Sequence, residues 1–384
     1  MTDLPLPRSW RFLVEALWFQ RWPTDPQGWN TVTQTAKAQG LLDALAFAVY
    51  TFKPDLPPGV AQTLREARYN AEARYARTQA IIQDLGRLLR EAGLQAVLFK
   101  GLVLAQAYPY PPARFFSDID ILLPGREAQE RYVAALKAHG YREEPEAHEG
   151  ESAQHYPKLF PPQTGLAVEV HRILGREGGF ERPERTAEFW QAARPCPAFP
   201  DFLELDSIDH YLFLLYHALQ AHLLELGVRT FYDFHRYTLA WDEATWQRVF
   251  ERATALDLVP TLRLGLALQS WIEGRPWGAY PWGAWLAPPP QAVLEAAQRA
   301  MLIEPETELH RPWRAKIKPG WRGWLAYLRL TITMDGILPW YRWPGRIGNL
   351  AQRTLRSLWH AARHGDQALA DRRRLLAWLR EKNG

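Results

Sequence analysis

Asp118 and Asp120 stand two residues apart in Ser117-Asp118-Ile119-Asp120-Ile121-Leu122-Leu123, at the head of an apolar run. Alternate side chains of a strand face the same way, so the two carboxylates point together and Ile119 and Ile121 point to the other side. Two acids side by side repel, and a strand built only for packing seldom carries them. A divalent cation removes that cost, because hard ions such as Mg²⁺ take carboxylate oxygens. Leu166–His171 alternates in the same manner, with Glu169 and His171 on one face. Tyr156–Phe160 precedes it, and Pro161-Pro162-Gln163-Thr164-Gly165 reads as the turn between two strands. A hairpin laying Glu169 beside the aspartates would gather three carboxylates. That suffices for a two-metal phosphoryl-transfer site, in which shared ligands hold both ions, orient phosphates and activate an attacking hydroxyl.

Each residue also has a plainer reading. An isolated D-x-D is often a surface turn before a strand. Glu169 could be a solvated strand acid paired with Arg172 or Lys158. His155 and Lys158 precede the turn, and a surface role suits them as well as a substrate contact. Arg229 and Asp233 are i, i+4 and could simply pair along a helix. His217 and His222 are five apart rather than four, which argues against a zinc site on one helical face.

Taken in order, Lys100-Gly101, a helix-like Leu102–Ala107, Tyr108-Pro109, Arg114, Ser117-Asp118-Ile119-Asp120-Ile121-Leu122 and Val168-Glu169-Val170-His171 form a pattern that resembles the uncharacterised nucleotidyltransferase family of the DNA polymerase β superfamily. In that superfamily a Gly-Ser pair opens a short helix, a D-x-D follows on a strand, and a third acid lies on a neighbouring strand. Lys100-Gly101 stands where Gly-Ser usually stands, which removes a hydroxyl contact, and Glu169 stands for the third Asp. The resemblance spans residues 75–175, with a weaker echo to Asp233.

The resemblance implies an α+β fold with a polymerase β-like core and a small mixed sheet. It implies a Mg²⁺- or Mn²⁺-dependent transfer of a nucleoside monophosphate from an NTP, ATP foremost, to an acceptor such as a small molecule, a protein or RNA. Asp118, Asp120 and Glu169 would hold the metal, and Glu169 would also take the acceptor's proton. Gly101 would let the backbone approach a phosphate, Lys100 would meet phosphate as a point charge, and Arg114 and Ser117 would contact the triphosphate. His171 is a ligand or phosphate contact, or more simply a hydrogen-bonded support behind the ligands. Two alternatives share the pattern: an inactive module that binds RNA or a protein, and a toxin-like enzyme that modifies tRNA.

Periodicity places these residues on a scaffold. Helices are expected over residues 5–50, Leu41–Phe52, Gln62–Ala92, Arg126–His139, Asp206–Leu226 and Asp242–Leu256, with a short buried strand at Ala96–Phe99. Four regions follow: N-terminal helices (1–94), the core (95–175), an acceptor-side helical region (176–310) and a basic region (311–384). Residues 311–384 hold 13 Arg and 3 Lys against four acids, a net +12 in a chain of +4, so residues 1–310 carry −8. An asymmetry of that size suggests an anionic partner for the tail, RNA or a membrane surface, unless it is a solvated helical face with buried Trp. There Trp321–Thr333 could be strand or helix, Pro339–Pro344 a break, and Leu350–Ala362 and Gln367–Leu379 basic helices.

Cys196 is the single cysteine, which excludes an intrachain disulfide and a Cys-based zinc site. Residues 1–20 mix charges into the apolar positions, and with the lone cysteine this points to the cytoplasm. The P-loop, G-x-S-x-G, H-E-x-x-H and G-x-G-x-x-G patterns are all missing.

Overall fold

The computed structural model describes residues 4–143, 154–162, 166–175, 179–222, 224, 227–302 and 370–380. Four helices lead the chain: α1 (Arg8–Phe19), α2 (Pro26–Ala38), α3 (Leu42–Phe52) and α4 (Pro58–Glu91). At 1.5 Å per residue α4 is about 50 Å long, and its two halves serve different cores. Val60, Leu64, Ala67 and Ala71 pack with the N-terminal helices, while Ile81, Ile82, Leu85, Leu88 and Leu89 pack under a sheet. Gly93, at φ +62°, follows its end.

The sheet starts with β1 (Val97–Phe99), followed by the short helix α5 (Gly101–Ala105), β2 (Asp118–Leu122), α6 (Arg126–Ala138), β3 (Arg142–Glu143), β4 (Leu159–Phe160) and β5 (Ala167–His171). After α7 (Pro183–Gln191) come two further strands, β6 (Arg194–Pro195) and β7 (Leu203–Glu204). The order is β3-β4-β5-β2-β1-β7-β6. β2 runs parallel to β5 and antiparallel to β1, and β7 joins β1 in parallel. The fold is thus α+β with a mixed sheet, but a seven-stranded one rather than the small sheet expected. The added strands β6 and β7 come from beyond residue 175. Each has two residues and one contains Pro195, so neither leaves a period-2 trace.

The pleat sorts the side chains. Leu98, Ile119, Ile121, Val168 and Val170 pack on the second half of α4 and on α6. The opposite face carries Asp118, Asp120, Glu169 and His171 toward the helices after residue 206: α8 (Ser207–Tyr216), α9 (Gly227–Thr238), α10 (Glu243–Ala255), α11 (Val259–Glu273) and α12 (Gln291–Leu302). Phe99 bridges the layers, its ring 5.4 Å from Phe213 and 5.0 Å from the His171 imidazole.

One expected helix divides. Asp206 caps α8 by accepting from the Ile208 N–H at 3.0 Å, but the helix widens into a π-turn at His217–Ala221 and α9 restarts at Gly227, φ +61°. The Leu224 N–H reaches back to the Ala218 carbonyl (2.8 Å), and Leu224 itself sits at φ +69°. Periodicity reads straight across such a turn, because the apolar pattern continues on both sides. The expected Leu102–Ala107 helix is likewise shorter, ending at Ala105.

A last helix spans 370–380 and docks on α12 through Arg299, whose Nε and Nη2 donate to Asp371 at 2.8 and 3.0 Å. The expected elements at Trp321–Thr333, Pro339–Pro344 and Leu350–Ala362 lie outside the described residues. No helix among the described residues is long and apolar enough to cross a membrane.

Candidate active site

Strand register assembles the acids. Asp120 lies directly opposite Glu169, and Leu122 opposite His171, so β2 and β5 present their polar residues to one side. Asp120 and Glu169 are buried (2% and 8% exposed) and His171 is fully enclosed. His171 Nε2 is 2.9 Å from Asp120 Oδ1 and 3.4 Å from Glu169 Oε2. Both partners are acceptors, so Nε2 carries the proton. Its Nδ1 is buried without a hydrogen-bond partner. Asp120, Glu169 and His171 offer one atom each within 4.8 Å of one another. Asp118 is one step outward on the same face, at the mouth, with its side chain 29% exposed.

Two ammonium groups balance these charges. Lys100 Nζ donates to Asp120 Oδ1 at 2.7 Å, and Lys158 Nζ lies 2.8 Å from Glu169 Oε1 and 3.6 Å from Asp118 Oδ2. Burial alone would push Asp120 up, but Lys100 and His171 outweigh it and hold this carboxyl below its usual range. Burial is overcome in the same way at Glu169, where His171, Lys100 and Lys158 hold the carboxyl far below normal. Asp118 goes the other way: burial raises it, and the charges of Asp120 and Glu169 raise it further.

Hard-cation chemistry fits this donor set. Asp120 and Glu169 are ionised oxygen donors on one buried face with Asp118 beside them, and the two lysine ammoniums already rest against them as cations. An oxygen-seeking ion would take the carboxylates, and His171 would then support Asp120 from behind.

The turn from β1 into α5 carries strain. Lys100 has φ +56° and ψ −129°, a region that costs a non-glycine residue roughly 1–3 kcal/mol. It is pinned at both ends, by Nζ on Asp120 and by its N–H donating to His210 Nε2 at 3.0 Å. His210 Nδ1–H then donates to the Tyr237 hydroxyl at 3.1 Å. Burial, helped by the Arg114 charge, pushes the His210 imidazole down to about 3. An unfolded His titrates near 6.5, so below that pH the unfolded chain takes up a proton that the folded chain refuses. Stability is therefore lost as pH falls from about 6.5 toward 3, by roughly 1.4 kcal/mol per pH unit from this group. His210→Gln, whose amide oxygen can accept from Lys100, should flatten that slope in urea titrations run from pH 7 to 4.5. An unchanged slope would contradict the assignment.

Gly101 is required by packing. A Cβ there would meet Phe116 Cβ at 2.9 Å and Arg114 Nη1 at 3.0 Å. Gly101→Ala should cost about 1–3 kcal/mol by overpacking and displace Arg114, seen as a lower urea midpoint. Gly101 lines the cleft, so the bare backbone expected to admit a phosphate also makes room for Phe116 and Arg114.

Arg114, the expected triphosphate contact, lines the cleft and is at the same time held within the protein. Its Nε and Nη2 both reach Asp233, at 3.1 Å each, and its Nη1 donates to the Gly101 and Phe115 carbonyls. Tyr108 OH donates to Asp233 Oδ1 at 2.6 Å. Asp233 is therefore committed to Arg114 rather than to Arg229, because the fork of Arg114 reaches both of its oxygens. Ser117 is exposed at the rim. Sequence reasoning did not find the Arg114–Asp233–Tyr108 cluster or the part played by His210. Its partners are 119 and 125 residues apart and leave no local pattern.

These groups line a cleft of about 600 Å³ between the sheet and the α8–α9 corner, walled opposite the acids by His217, His222, Arg229 and Phe234. Such a volume suits a small-molecule ligand. A larger cavity of about 720 Å³, between α1 and α11, has no comparable cluster; the buried Glu273 there is satisfied by His235, Tyr280 and Gln269.

No curated protein and no solved structure matches the chain. A family model does: it describes an uncharacterised nucleotidyltransferase and matches residues 25–272, more than half of the sequence, and the chain belongs to that family.

Proposed function

We propose that the protein transfers a nucleoside monophosphate from an NTP to an acceptor, with Mg²⁺ or Mn²⁺ held by Asp118, Asp120 and Glu169. The observation that carries this reading is the register of β2 on β5, which sets Asp120 against Glu169 at the floor of the cleft. A bound divalent ion would neutralise phosphate charge and make the acceptor hydroxyl easier to ionise.

The chain's own residues do the rest. Lys100 and Lys158 offset two of the three carboxylate charges in the free protein, and both line the cleft, placed to meet phosphate oxygens once a nucleotide enters. Glu169 is held so far below the usual carboxylate range that it binds cations better than it accepts protons. Asp118, beside Lys158 on the lining of the cleft, is placed to meet the incoming acceptor. The acceptor oxygen bonds to the α-phosphorus, the bond to the β-phosphate oxygen breaks, and pyrophosphate leaves. His171 holds Asp120 in place, and the helical wall after residue 206 excludes water and selects the acceptor.

Position-specific labelling tests the reaction. With Mg²⁺ and cell extract, label from the α-phosphate should appear on an acceptor with release of pyrophosphate, and label from the γ-phosphate should not. Transfer of the γ label alone would make the protein a kinase and refute the proposal.

A further inference from the structure

We propose that Arg229 grips the phosphates of the bound nucleotide, a role that rests on the nucleotidyl-transfer reading and assigns its phosphate contact to a residue the sequence pattern does not mark. Arg229 lies on the first turn of α9 and lines the same cleft as the acids. Among the described residues its guanidinium makes no ion pair and no hydrogen bond, although it is largely enclosed. The nearest acid on its own helix, Asp233, is taken by Arg114 and Tyr108.

Three effects act against that unpaired charge. Burial removes its hydration, the neighbouring Arg114 repels it, and the start of a helix carries partial positive charge of its own. Asp233, Tyr108 and Asp118 offset these only at a distance. A half-buried cation in such surroundings is kept at a cost, and an anion that enters the cleft offsets that cost.

The guanidinium is also backed from behind. The Val228 N–H donates to Gln39 Oε1 at 3.1 Å, tying the start of α9 to the α2–α3 turn. In that turn Gly40 has φ +65°, and a Cβ on it would come within 3.1 Å of Arg229 Nη1 and 3.4 Å of its Cδ. The turn therefore supports the guanidinium on its Nη1 side, and the residue lines the cleft. A planar fork matches two phosphate oxygens. The cleft thus divides its work: the acids on the sheet hold cations, and Arg229 on the opposite wall holds the phosphate anion.

The test is calorimetric titration of the full-length protein with inorganic pyrophosphate and with ATP, each with Mg²⁺, comparing wild type, R229K and R229Q. R229Q should weaken both ligands roughly ten- to hundredfold, the size of a charge-assisted bidentate contact, and R229K should fall between. Binding of Mn²⁺ alone should stay within about threefold, and R229Q should melt no lower than wild type without ligand. Equal pyrophosphate affinity in wild type and R229Q would overturn the assignment and leave the transfer reaction standing. A marked loss of thermal stability in R229Q would overturn it too, by showing that the guanidinium has a structural partner. Absence of any pyrophosphate or ATP binding to wild type would overturn this proposal and the reaction together.

Discussion

Asp120→Asn is expected to abolish label transfer from an α-labelled NTP, by about three orders of magnitude or more, while the protein stays folded. Asp120 is the acid that touches most of the site: Lys100 Nζ at 2.7 Å, His171 Nε2 at 2.9 Å, and Glu169 directly across the register. The amide keeps the shape and one acceptor oxygen but removes the negative charge that a divalent ion needs. A loss of 10³ corresponds to about 4 kcal/mol of transition-state stabilisation, the scale of a preorganised electrostatic contact in a water-poor site. Asp118→Asn should be milder, because Asp118 is more exposed and lies outside the tight group formed with His171. Circular dichroism separates lost chemistry from lost fold. Transfer by folded Asp120→Asn within tenfold of wild type would contradict the assignment.

The second large effect is on stability. Asp233→Ala should lower the unfolding free energy by about 3–5 kcal/mol, the usual cost of removing one partner from a buried ion pair. The Arg114 and Asp233 side chains are only 11% and 6% exposed, so solvent does little to screen what remains. Without Asp233, the Arg114 guanidinium keeps only its two carbonyl contacts, and the Tyr108 hydroxyl loses its acceptor. Adding Arg114→Leu should restore most of the loss, because a matched apolar pair avoids the uncompensated charge. Urea unfolding of the single and double variants measures both steps. A double variant no more stable than Asp233→Ala would show that the pair is not the source of the loss.

The parts of the site legible in the sequence were those that repeat. β2 and β5 alternate every second residue, so the faces of Asp118, Asp120, Glu169 and His171 follow from the sequence. Ile81, Ile82, Leu85, Leu88 and Leu89 recur at helical spacing and mark the half of α4 beneath the sheet. Contacts set by tertiary approach leave no such trace. Arg114 and Asp233 meet because α9 crosses the loop before β2, and each alone looks like an ordinary surface charge. The π-turn at His217–Ala221 hides inside an unbroken apolar run, and β6 and β7 are too short to show a period. The family match reaches from residue 25 to 272, well past the 75–175 stretch that carries the motifs. This agrees with a shared core in which the leading helices and α8–α11 pack together.

The central claim is that Asp118, Asp120 and Glu169 jointly hold a divalent ion against a nucleotide's phosphates. Its most direct test is the crystal structure of the protein with Mn²⁺ and a non-hydrolysable NTP, with anomalous scattering recorded for manganese. The account predicts an anomalous peak within bonding distance of Asp120 and Glu169 oxygens and of a phosphate oxygen, with the Lys100 ammonium displaced from Asp120. A nucleotide in the cleft with no manganese at these carboxylates, and Lys100 and Lys158 still seated on them, would contradict it.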